Sequence, residues 1–106
     1  MTIILVLLIQ MQNTGFAWAF ETNEFDKYMN IWTEKSQLAS SFLLRAENAF
    51  KDGDELKGCA AQQKASSYGI EATKALIIAM KLSGSQDGLD NLETGMNKWK
   101  ELRDFC

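Results

Sequence analysis

The sequence contains no histidine and no proline, and only two cysteines. Without histidine, the commonest general base and the commonest metal ligand are both missing, so the usual hydrolase, zinc and haem arrangements lose their central residue. Without proline, nothing breaks a long helix from within. Basic residues are few and scattered: 11 Lys and Arg stand against 14 Asp and Glu, for a net charge of -3. Phosphate backbones and anionic membrane surfaces are bound chiefly through Lys and Arg clusters, so this balance argues against nucleic acid and membrane partners. Motifs that carry chemistry are absent as well. There is no C-x-x-C-H, no phosphate-cradling glycine loop and no G-x-S-x-G, and "DGDE" and "DGLDNLE" do not fit a calcium loop. The expectation is a protein that is not an enzyme and that holds no metal and no cofactor.

What is present begins with an apolar run, Ile3 to Ile9, inside the opening "MTIILVLLIQMQNTGFAWAFETNEF", which carries no charge before Glu21. A polar stretch and then Ala17, Trp18 and Ala19 follow it. This order resembles a secretory signal peptide, in which an apolar segment precedes small residues at an A-x-A cleavage site. Residues 1–19 are therefore expected to be a removed signal peptide and 20–106 the single mature domain, periplasmic or secreted. Gln10, Gln12, Asn13 and Thr14 interrupt the run too early for a membrane span, which takes about 20 predominantly apolar residues.

The mature part reads as three helices. Phe25, Met29, Trp32, Ser36, Ala39, Leu43, Ala46 and Phe50 recur at alternating spacings of four and three, and Tyr28, Ile31, Leu38 and Phe42 widen that seam into a face for two neighbours. A second run is Leu56, Cys59, Gln63, Ser66, Ile70, Thr73, Ile77 and Met80, flanked by alanines. A third is Leu89, Leu92, Met96, Trp99, Leu102 and Phe105. Gly53 and Gly84 suit helix ends, Thr22 or Asn23, Asp54 and Ser85 suit helix starts, and no strand alternation competes. Gly69, inside the second run, costs about 1 kcal/mol relative to alanine, and its place beside Tyr68 suits either a tight helix crossing or a ligand, of which the crossing is the expected one. The expected fold is all-α, an up-down-up antiparallel three-helix bundle over approximately 23–51, 55–82 and 86–105.

The two cysteines fit that fold. Measured from the turn that helices 2 and 3 share, Cys59 lies roughly 35 Å along one helix and Cys106 roughly 30 Å along the other, at 1.5 Å per residue. A Cys59 to Cys106 disulfide is therefore expected, contributing about 4 kcal/mol in the chain-entropy model. Helix 3 would stop short of its neighbours at that end, leaving Ala46, Ala49, Phe50 and Leu56 partly uncovered beside Asp52, Asp54 and Glu55. An apolar patch with a charged rim suits a protein partner, as for an inhibitor, immunity factor, adaptor or accessory subunit. In the competing view, Phe50 simply folds over its own hairpin. Two further readings stand beside this one. Tyr28, Met29, Trp32, Met96 and Trp99 would line a pocket for a small apolar ligand in a periplasmic or secreted carrier, or the wide face of helix 1 would dock on a second copy in a self-assembling homodimer.

Overall fold

The computed structural model describes residues 19–106. These form three helices, α1 (Ala19–Lys51), α2 (Glu55–Leu82) and α3 (Leu89–Phe105), and no strand is found among the described residues. The expected signal peptide lies outside the described residues, apart from Ala19, where α1 begins. Thr22 and Asn23 are consequently inside α1 rather than capping it. None of these helices is long and apolar enough to cross a membrane.

The first turn follows from its residues. Gly53 adopts φ +80°, a left-handed conformation that glycine reaches without a Cβ penalty. This lets the Asp54 amide return to the carbonyl of Ala49 at 2.9 Å. Asp54 then caps α2, its carboxylate accepting from the Lys57 amide at 3.1 Å. The second turn departs from expectation. The Ser85 amide donates to the Met80 carbonyl at 3.0 Å, so Ser85 closes the end of α2 and does not start α3. The chain needs three more residues to come round, and α3 starts at Leu89 after a left-handed Gly88 (φ +84°) with no side-chain cap.

Packing also differs from the pattern of large residues. The buried apolar set is Ala39, Ala46, Ala49, Ala65, Ile70, Ala72, Ala75 and Ala79, with Gly58 and Gly69 buried among them. Gly58, Ala65, Ala72 and Ala79 follow one another at intervals of seven, so a stripe of very small residues lies along one face of α2. Leu56 and Gln63, expected on the inward seam, are exposed instead. Small side chains let two helices approach closely, and the larger ones then straddle the contact, which is why Phe25, Trp32, Leu38, Leu92 and Leu102 are only half-buried. Two buried polar groups are satisfied within α2: the Ser66 and Thr73 hydroxyls each donate to the carbonyl four residues earlier, at 2.8 Å.

Residue pairs fix how the helices meet. Phe50 lies on Gly58, the Phe42 and Tyr68 rings stack with centroids 5.7 Å apart, and Lys35 bonds Glu71 at 3.1 Å. On the other flank of α2, Trp99 lies on Gly69, Gln62 reaches Leu102, and Cys59 is joined to Cys106 with Cα atoms 5.6 Å apart. The expected disulfide is thus present. The expected mutual contact of all three helices is not: α1 packs on α2 and α2 on α3, while no Cα of α1 comes within 8 Å of one in α3. The bundle is open, with α2 as its shared member, and no residue of α3 is buried.

Candidate functional site

At 1.5 Å per residue α3 is only ~26 Å long, against ~42 Å for α2 and ~50 Å for α1. Its last helical residue is Phe105, and the disulfide pins its end beside Cys59. The hairpin of α1 and α2 therefore extends past it. A concavity of about 480 Å³ opens there, lined by Leu43, Ala46, Glu47, Phe50 and Lys51 of α1 and by Gln62 of α2.

Each wall has a local cause. Residues 43, 46, 47, 50 and 51 share one side of α1 through the i, i+3 and i+4 spacings. Phe50 is held because Gly58 has no side chain: a Cβ there would stand 2.6–2.8 Å from three Phe50 ring carbons. Part of the ring is still open to solvent, at 39% exposure. Gln62 is almost fully buried, and its Nε2 donates to the Leu102 carbonyl at 2.9 Å and approaches Cys106 Sγ at 3.6 Å. It thereby satisfies one of the carbonyls that the last turn of α3 leaves without a helical partner. Glu47 and Lys51 pair with each other at 3.2 Å on the rim, one turn apart. The result is an apolar hollow with a charged edge.

The residues expected at this end divide into two sets. Ala46 and Ala49 are buried, not partly uncovered, because Gly58 and its flanking alanines let α1 and α2 close over them. Phe50 and Leu56 are exposed, Leu56 at 88%, and Phe105 joins them at 85%. Asp52, Asp54 and Glu55 lie in or next to the turn and are exposed. One side of the Phe50 ring packs on Gly58 of its own hairpin, and part of the ring is open to solvent. Gln62 was not anticipated, although a glutamine between Cys59 and Ser66 on the α3 flank was the available signal. Of the second set, Tyr28, Met29, Trp32, Met96 and Trp99 are all half-buried, but the Trp99 ring is occupied against Gly69, and none of the five lines the concavity just described.

Comparison with known proteins adds nothing to this geometry, since no protein-family model, no curated protein and no solved structure matches the chain.

Proposed function

We propose that residues 20–106 are an exported, non-enzymatic binding domain whose three helices run up, down and up in antiparallel order, and which engages another protein through the disulfide end. The pairs 50 with 58, 42 with 68 and 35 with 71 support that order for α1 and α2. The pairs 59 with 106 and 69 with 99 support it for α2 and α3. Export is supported by the apolar opening segment and by the disulfide, which persists in oxidising compartments.

The observation that carries the reading is the hollow beside Phe50. It is left open by the short α3, edged by Glu47 and Lys51, and accompanied at the same end by exposed Leu56 and Phe105. Large apolar residues gathered at one end with a polar rim suit a partner's anchoring side chain better than they suit solvent. A photo-crosslinking residue in place of Phe50, carried by the exported chain in its own cells, should give one discrete adduct with a second protein. The same residue in place of Glu93 should not. An adduct of twice the chain mass would replace this reading with self-assembly, and no adduct at all would sink it.

A further inference from the structure

A second concavity, separate from the hollow beside Phe50, lies on the opposite flank of the hairpin. It has a volume of about 550 Å³ and is walled by Phe42, Arg45, Asn48, Ala49 and Asp52 of α1 and by Asp54, Lys57, Ala60, Ala61 and Lys64 around the start of α2. α3 meets α2 at residues 59, 62 and 69. At about 100° per residue these occupy a different face from 57, 60, 61 and 64, so α3 does not cover this groove.

Three cations converge on it. The Arg45 guanidinium carbon lies 4.8 Å from the centroid of the Phe42 ring and Lys64 Nζ lies 5.4 Å from it, with Lys57 farther along the same wall. The ring fixes both positive groups through its electron-rich face and leaves their N–H groups free to donate. The ion pairs among the described residues join Lys35 to Glu71, Lys51 to Glu47 and Arg103 to Asp104, so none neutralises Arg45, Lys57 or Lys64. The floor between them is Ala49, Ala60 and Ala61, which offers methyl groups and room. Asp52 and Asp54 stand at the turn end, and the Asp54 carboxylate is already engaged by the Lys57 amide. Three cations against two carboxylates leave one positive charge, in a chain whose net charge is -3. A monoanion matches that balance, whereas a phosphate dianion would meet the two aspartates.

We infer that this groove binds a small amphiphilic carboxylate, its head between Arg45 and Lys64 and its apolar body along the alanine floor against Phe42. The planar guanidinium suits a carboxylate through paired N–H donors, and the volume falls within the range of small-molecule sites. The inference does not depend on the protein-binding role of the other flank.

Isothermal titration of the purified, oxidised chain with decanoate, below its micelle-forming concentration, tests it against decanol as the uncharged control. Decanoate should bind saturably at one site and about tenfold more tightly than decanol, the size of one charge-assisted contact, and its affinity should fall as salt rises. Arg45→Gln with Lys64→Gln should weaken decanoate about tenfold, whereas Lys98→Gln, exposed on α3 and outside the groove, should leave it unchanged. Amide shifts in the unsubstituted protein should centre on Ala49, Ala60 and Ala61. Equal binding of the two probes, absence of saturation, an unaffected double variant, or shifts centred on Trp99 would each overturn the assignment.

Discussion

The indole of Trp99 rests on the bare Cα of Gly69, where a single added methyl group would collide with the ring. This contact seats the middle of α3 on α2, in a helix none of whose side chains is fully buried. Alanine in a helix interior is ordinarily favoured over glycine by about 1 kcal/mol. At Gly69 the collision should outweigh that gain, so Gly69→Ala should lower stability by about 1–3 kcal/mol, the range for overpacked sites. Gly95, in α3, has nothing within 4 Å of where its Cβ would stand. Gly95→Ala should therefore raise stability by about 0.5–1 kcal/mol. Urea denaturation of the two variants should show shifts of opposite sign, and a stabilised Gly69→Ala would mean that the indole is not seated there.

Much of this arrangement is legible in the sequence, for physical reasons that also show where legibility stops. The helix ends at Lys51 and Leu82 follow from Gly53 and Gly84, because a left-handed residue after a helix is a local requirement. Cys59 and Cys106 could be paired because helical rise is fixed and both positions are counted from one turn. The closure of the bundle could not be read in this way. A seam of large residues such as Phe25, Trp32 and Leu43 suggests a shared core, but Gly58, Ala65, Ala72 and Ala79 draw α1 and α2 together first. The larger residues are left at the edges of that contact. The start of α3 was missed because Ser85 has the chemistry of a cap, while its amide is needed to end α2. The cationic groove was hidden too: Arg45, Lys57 and Lys64 are ordinary surface residues in sequence and converge only when the hairpin closes.

The disulfide should matter most to α3. Joining residues 47 apart contributes about 4 kcal/mol in the chain-entropy model, and α3, none of whose side chains is buried, is otherwise held chiefly by the half-buried Trp99 on Gly69 and by the Gln62 bond to Leu102. Replacing Cys59 and Cys106 together by alanine should leave the α1 and α2 hairpin folded while α3 detaches. Hydrogen exchange should show protection lost across Leu92–Leu102 and retained across Ala65–Ala79. Loss of protection in both segments at once would mean that α3 is needed for the hairpin to fold.

Gln62 should prove more than a filler between helices. Gln62→Leu keeps the volume but removes the donor to the Leu102 carbonyl, leaving a partly buried acceptor without its partner. The expected cost is about 1–3 kcal/mol. Because Gln62 also touches Cys106 Sγ, combining Gln62→Leu with loss of the disulfide should be less than additive: once α3 is free, its carbonyl returns to water. Strict additivity in the double-mutant cycle would show that the amide and the disulfide act independently.

The ion pair between Lys35 and Glu71 makes a pH-dependent prediction. The Lys35 ammonium donates to the Glu71 carboxylate at 3.1 Å, and chiefly this hydrogen bond raises its pKa above the ordinary 10.5, with partial desolvation opposing it. A lysine whose folded pKa exceeds its unfolded value binds its proton more tightly in the folded state. Its contribution to stability is therefore fully present below 10.5 and is lost as pH rises through the folded value. The comparison should be made between the unsubstituted protein and Lys35→Met. The difference in denaturation midpoint should be constant through neutral pH and narrow from about pH 10 upward, and salt should reduce it at every pH, since the pair is open to solvent. Glu71→Gln should bring Lys35 back toward its ordinary value and flatten the same window. A difference that persists unchanged into strong alkali would assign the effect of Lys35 to its contact with the Tyr68 ring, 5.2 Å away, through the aliphatic part of the side chain rather than its charge.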